Sequence, residues 1–163
     1  MAIDNFVKVK RDGTITIFDN AAANTITVDF EGDGNFSFDN GAEHAERVVI
    51  MDRGSIVGLR KGNDPVGSIS FQVNMREFTN STATGLIDVI NHAGSAAAWV
   101  STGGDEFEQY LLDVKITIDG GAVVDSTATF SKVLLTWDFA EGDPNVINIS
   151  GECYSGITYT GIV

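Results

Sequence analysis

Apolar residues alternate with small polar ones at period two along most of this 163-residue chain. That period puts one set of side chains on each face of an extended strand. The clearest run is 66–78, where Ile69, Phe71, Val73 and Met75 line one face and Ser68, Ser70, Gln72, Asn74 and Arg76 the other. Ile26, Val28 and Phe30 alternate in the same way with Thr25, Thr27 and Asp29. So do Tyr110, Leu112, Val114, Ile116 and Ile118 with Asp113, Lys115, Thr117 and Asp119. Near the end, Ile147, Ile149 and Cys153 face inward against Asn148, Ser150 and Glu152. A chain patterned this way buries one face of each strand and wets the other, which leads to sheets packed on each other or closed into a barrel.

The punctuation agrees. Eighteen glycines against two prolines fit tight turns between strands better than a disordered chain. Val7 and Val9 alternate with Lys8 and Lys10, Asp12-Gly13 supplies a turn, and Thr14 to Phe18 answers as a second strand. The stretch 31–35 is a turn, Phe36 and Phe38 mark a short return strand, and Asp119-Gly-Gly121 turns the chain again. Between 127 and 139 the pattern slips at Lys132-Val133, which predicts a bulge or a strand buried on both sides. One helix is expected over about 82–93: Leu86, Val89, Ile90 and Ala93 repeat at helical spacing after a Ser/Thr-rich start, and Gly94 is placed to end it. The fold expected is mainly β: an antiparallel β-sandwich or barrel of about eight strands with one flanking α-helix, in a single domain over 1–163.

Residues 39–65 break the rhythm. Asp39-Asn40-Gly41 and Gly62-Asn63-Asp64-Pro65 bracket a stretch that is apolar at its centre and interrupted by Asp52-Arg53-Gly54. It reads as a long loop or an extended hairpin arm, and loops of that length are usually functional. Val48 to Met51 and Ile56 to Leu59 are too apolar to leave in water comfortably.

The chemistry of reaction sites is sparse. Cys153 is the sole cysteine, so no internal disulfide forms, and its apolar face predicts a buried, inert thiol. His44 and His92 lie far apart in the sequence and read as two surface histidines. Glu31-Gly-Asp33-Gly-Asn35 lacks the spacing and closing glutamate of a calcium loop and reads as an acidic turn. Asp105, Glu106 and Glu108 read as solvated charge rather than an acid pair for sugar hydrolysis. No glycine-rich phosphate loop follows a strand. The expectation is no enzyme: no catalytic residue, no cofactor and no metal.

A net charge of −13 and a pI near 4.2 oppose attraction to nucleic acid or to anionic membrane. The polar, charged start and the lack of about 20 consecutive apolar residues predict a soluble protein made in a cytoplasm.

Three stretches carry a family resemblance: Met51-Asp-Arg-Gly54 through Arg60-Lys-Gly-Asn-Asp-Pro65 into Gly67-Ser-Ile-Ser-Phe-Gln-Val-Asn-Met75; Phe130-Ser-Lys-Val133 with Trp137-Asp-Phe-Ala-Glu-Gly-Asp-Pro144; and Ile147-Asn-Ile-Ser-Gly-Glu-Cys-Tyr154. In sequence and order these resemble the major tail (tail tube) proteins of tailed bacteriophages. The resemblance implies a β-sandwich with a flanking helix that assembles into hexameric rings. Those rings stack into a tube through which DNA is ejected, and neighbouring subunits complete one inner β-barrel. It implies a long loop reaching the adjacent subunit or ring, which makes Val48, Val49, Ile50, Met51, Ile56, Val57 and Leu59 the inter-subunit candidates. The partners implied are the chain itself, tape-measure and tail adaptor or terminator proteins, and DNA that passes without specific binding, with no membrane. The location implied is the virion tail, after synthesis in the bacterial host cytoplasm.

Most acids fall in turns and loops, Asp19 among them. Asp29, Asp113 and Glu152 sit on polar strand faces, partly offset by Arg76 and Lys115, and are the lumen-facing candidates. Two other readings share the pattern. A tail terminator or connector ring has the same logic without a long tube. A monomeric β-sandwich binding carbohydrate or a receptor would group its exposed aromatics, for which Trp99, Trp137 and Tyr154 are the available members.

Overall fold

The computed structural model describes residues 13–20, 24–29, 36–39, 46–63, 66–75, 78, 83–118 and 125–161. The strand expected around Val7 to Lys10, the turns at 31–35 and 119–121, and His44 lie outside the described residues. In chain order the elements are β1 (Gly13–Phe18), β2 (Thr25–Asp29), β3 (Phe36–Asp39), β4 (Arg47–Asp52), β5 (Ser55–Lys61), β6 (Gly67–Asn74), α1 (Leu86–Asn91), β7 (Leu112–Ile118), β8 (Ser126–Ala140), β9 (Val146–Cys153) and β10 (Ile157–Thr160). The chain is mainly β, antiparallel throughout, with one short helix and no closed barrel among the described residues.

Eight strands form one sheet in the order β2-β1-β7-β8-β9-β6-β3, with β10 also paired to β8. The 15-residue β8 makes a sandwich out of this single sheet. Its first half pairs with β7 on one edge and β10 on the other; its second half, from Val133 to Ala140, pairs with β9. The break falls at Lys132, which takes a left-handed φ of 56° and adds a residue opposite Asp113. Phe130 and Val133 therefore both point inward although they stand an odd number of positions, three, apart. This is the bulge that the slipping pattern predicts. The backbone N–H of Lys132 donates to Asp113 Oδ1 at 2.9 Å, and its carbonyl accepts from the N–H of Tyr154 at 3.1 Å, so the kink has hydrogen-bond partners on both sides.

The two halves close on one core. Ile15, Ile17, Val114, Ile116 and Phe130 from the first half meet Ile69, Phe71, Val133, Leu135, Ile147 and Ile149 from the second in one continuous cluster. Phe38, on the outermost strand of the second half, reaches Phe130 of the first edge-to-face at 5.2 Å. The inward set is the alternating set read from the sequence, Cys153 included.

The helix is shorter than its periodicity predicts. It spans Leu86–Asn91 rather than 82–93: Gly85 is still extended at the N-cap, and His92 turns left-handed at φ 51° to cap the C-terminus. Residues preceding it include Ser and Thr, whose side chains compete with helical backbone bonds. Its buried residues are Ile87, Asp88, Val89 and Ile90, so Ile87 takes the place expected of Leu86, and Ala93 is exposed because the chain has already turned. Gly94 (φ 54°) begins a single 3-10 turn, and a Cβ there would lie 3.0 Å from the Asp88 carboxylate.

Candidate assembly surface

Of the stretch 39–65 read as a loop or hairpin arm, residues 46–63 form a hairpin, and Asp39 belongs to β3. Among the described residues, strands β4 and β5 pair only with each other, forming a second sheet apart from the body. Its root is closed by Glu46 and Asn63: the N–H of Glu46 donates to the Asn63 carbonyl at 2.8 Å, and the N–H of Gly62 to the Glu46 carbonyl at 2.6 Å. Its tip is the two-residue turn Arg53-Gly54, both at positive φ (47° and 83°), the geometry whose twist matches a right-handed hairpin. A register shift after Ile50 leaves Val57 as an extra residue.

Val49 pairs with Leu59 and Met51 with Ile56, placing four apolar side chains on one face of the arm. Val48, Val49, Met51, Ile56, Val57 and Leu59 are 44–70 % exposed. Ile50 is half-buried and lies over Gly58. An apolar surface of this kind on a projecting hairpin marks a docking element. The arm also inverts the charge of the chain. Over 46–63 it carries four basic residues (Arg47, Arg53, Arg60, Lys61) against two acidic (Glu46, Asp52), a net +2 on a chain of −13.

The lumen candidates do not share a face. Asp113 belongs by register to the outward side of the first half and Glu152 to the outward side of the second, while Asp29 pairs with Thr14 at the end of β2. Asp113 accepts the hydrogen bond of Lys132 at the kink, and Glu152 accepts the Tyr154 hydroxyl at 2.5 Å, a bond that pushes the Tyr154 hydroxyl above its usual pKa.

The two outward faces differ in chemistry. On the first half the register aligns Thr27, Thr16, Lys115, Thr129 and Thr158 in one row across five strands, and Asp29, Thr14, Thr117, Thr127 and Thr160 in the next. On the second, Ser37, Ser70, Ser150 and Thr136 form one row, with the Ser37 and Ser70 hydroxyls 2.7 Å apart, and Gln72, Asn148 and Asp138 the next. Gln72 Nε2 donates to Asn148 Oδ1 at 2.9 Å.

The periodicity did not reveal an aromatic group at one end of the sandwich. Phe78, 51 % exposed, lies 6.3 Å from Trp137 and 5.7 Å from Phe139, itself 37 % exposed. The Trp137 indole N–H donates to Asn91 Oδ1 at 3.0 Å, tying the group to α1. Nothing around Phe78 in sequence signals this contact, since its ring partners lie about sixty residues on. The aromatics of a sugar platform are dispersed. Trp99 is buried in the core, Trp137 is half-buried opposite Ile149, and Tyr154 lies beyond the other end of β9 beside Phe107.

Among the described residues no group of three His, Cys, Asp or Glu could hold a metal. Burial pushes the Cys153 thiol above its usual pKa, and its Sγ donates to the Ser155 and Ser131 carbonyls. His92 stacks on Tyr110 at 4.2 Å, with Nε2 3.0 Å from the Trp99 carbonyl. Asp105, Glu106 and Glu108 are exposed as expected. Asp19 lies in the loop after β1, as expected, but it is a buried acid rather than a solvated one. It is 1 % exposed, and its Oδ2 accepts from Asn24 Nδ2 at 2.8 Å and from the N–H of Val100 at 3.0 Å, fastening the end of β1 to the 93–111 connection.

No protein-family model matches the chain, and no curated protein sequence matches it. Solved structures do. A chain of the anti-feeding prophage baseplate, 6-fold symmetrised, superposes with a TM-score of 0.61 at 15 % identity, covering 96 % of this chain and 97 % of that one. A chain of the sheath-tube complex of the PVC extracellular contractile injection system gives 0.60 at 14 % over 98 % and 95 %. A chain of the sheath/tube terminator of the same system gives 0.59 at 16 % over 98 % and 100 %. The fold of this chain, end to end, is thus one found in the tube, baseplate and terminator assemblies of contractile, phage-tail-like particles.

Proposed function

We propose that this protein is a non-enzymatic structural subunit of a phage tail or phage-tail-like particle, assembling with itself into hexameric rings that stack into a tube. The observation that carries the reading is the hairpin arm: a self-contained sheet presenting aliphatic side chains to water on both strands. A monomer has no use for such a surface, whereas a ring subunit covers it with a neighbour. The full-length likeness in fold to chains of tube and baseplate assemblies supports the same reading.

In this reading Val48, Val49, Ile50, Met51, Ile56, Val57 and Leu59 make the contact between subunits. In the same reading the threonine-faced half lines the lumen: among the described residues it ends on an open strand at both sides, β2 and β10, and those edges can pair around a ring. Asp29 and Asp113 then belong to the lumen wall with Lys115 between them, and Glu152 to the outer wall. DNA or another cargo passes a hydroxyl-lined, weakly charged surface without specific binding. Tape-measure and adaptor proteins meet the ends of the tube. The protein is made in the host cytoplasm and resides in the particle.

Electron microscopy and light scattering of the purified protein at high concentration test this. Rings and tubes are expected, and a chain that stays monomeric overturns the reading. A second reading, a terminator that forms one ring and stops, is favoured by the likeness to a chain of the sheath/tube terminator assembly. Single rings that never stack would select it.

A further inference from the structure

The chain exposes two apolar surfaces whose flanking charges are opposite in sign. One is the face of the arm formed by Val49, Met51, Ile56 and Leu59, flanked by the Arg47–Lys61 pair on the same face and by Arg53 at the tip, with Arg60 on the opposite face beside Val48. The other is the Phe78, Trp137 and Phe139 group, next to which the chain leaves β8 through Glu141 and Asp143, both exposed. The arm holds a net +2 and leaves the remainder of the chain at −15. Aromatic rings beside carboxylates suit a partner that brings aliphatic groups and guanidinium groups together, since arginine stacks on ring faces and pairs with carboxylates.

We propose that the arm of one copy lies on the Phe78–Trp137–Phe139 group of a second copy, its aliphatic face covering the rings and its basic residues meeting Glu141 and Asp143. The inference rests on the reading that the chain assembles with itself, and it identifies where the arm lands. The contact is heterologous: each copy uses its arm on one neighbour and leaves its own aromatic group for another, so the contact repeats until a ring closes. A rival acceptor exists at Phe107 and Tyr154, near Asp105 and Glu106. Those rings are already engaged, with Lys132 Nζ 4.9 Å over the Phe107 ring and the Tyr154 hydroxyl bonded to Glu152.

Charge exchange between full-length chains tests the contact. The arm variant Arg47→Glu/Arg53→Glu and the rim variant Glu141→Lys/Asp143→Lys are each expected to lose the ring peak in analytical ultracentrifugation while keeping the wild-type circular dichroism. A 1:1 mixture of the two is expected to regain it, because each arm then finds an oppositely charged rim, and so is one chain bearing all four substitutions. Asp105→Lys/Glu106→Lys is expected to assemble as the wild type does. As a direct readout, Ser55→Cys and Glu141→Cys chains, mixed and treated with a short bismaleimide, are expected to give a covalent mixed dimer. A rim variant that assembles normally, or an arm variant rescued by reversal at Asp105 and Glu106 instead, overturns the docking site while leaving ring formation standing. A wild-type chain that never leaves the monomer overturns ring formation and the docking site with it.

Discussion

Gly151 sits on the inward side of β9 between Ile69 and Leu135, crowded by the side chains of the flanking strands. A Cβ there would come within 2.6 Å of Val133 and 2.7 Å of Ile69. Gly151→Ala is therefore expected to cost about 1–3 kcal/mol by overpacking, read from denaturant midpoints. Gly156→Ala, where a Cβ meets nothing within 4 Å, is expected to stay within about 0.5 kcal/mol of the wild type. Tyr110 gives a pH-dependent counterpart. Its hydroxyl is buried without a hydrogen-bond partner among the described residues, and its pKa is pushed from 10.0 up to about 12, by burial first and by the Asp19 carboxylate second. A raised folded-state pKa gives stability that is complete below pH 10 and is lost as pH climbs to about 12. Tyr110→Phe is expected to flatten that alkaline decline and to leave neutral-pH stability unchanged or improved, since an unpaired buried hydroxyl is removed. An equal decline in both proteins would show that another group titrates. Period two was enough to place Cys153, Ile147 and Ile149 inward from sequence. It could not place Asp19, whose partner Val100 is 81 residues away, because a buried acid is recognised only by what satisfies it.

Strands were legible where one face is wet and the other dry, as in β6, β7 and β9, and the kink in β8 was legible as a slip in that alternation. The helix was overextended because periodicity registers apolar spacing and not the left-handed turn at His92 or the extended Gly85 that cut it to six residues. The arm was legible as a departure from the rhythm, but its two strands were not separable from a loop, since their apolar residues are continuous rather than alternating. Its isolation from the body has a thermodynamic consequence. Replacing 47–61 by a short Gly/Ser link is expected to leave the thermal midpoint of the body within about 2 °C, because among the described residues no sheet hydrogen bond joins arm to body. The same deletion is expected to abolish assembly in light scattering. A deletion variant that still forms rings would assign the subunit contact to the sheet edges alone.

At the scale of the whole molecule, a sheet folded on itself must turn its two polar faces in opposite directions, so a tube of such subunits wets its bore with one and its exterior with the other. The threonine rows and the serine and amide rows are then not interchangeable. Sequence could list these polar residues but not sort them, because sorting depends on which strands neighbour each other across the sheet. The face assigned to the bore is testable in assembled tubes with single introduced thiols, since Cys153 is buried and slow to react. Thr16→Cys lies mid-row on the threonine face and Ser70→Cys mid-row on the other. A small maleimide is expected to label both. A maleimide carried on a particle wider than the bore is expected to label Ser70→Cys in intact tubes, and Thr16→Cys only after the tubes are dissociated. The reverse pattern would put the serine and amide rows, with Glu152, on the inside, and would move the weakly charged path for cargo to the other half of the sheet.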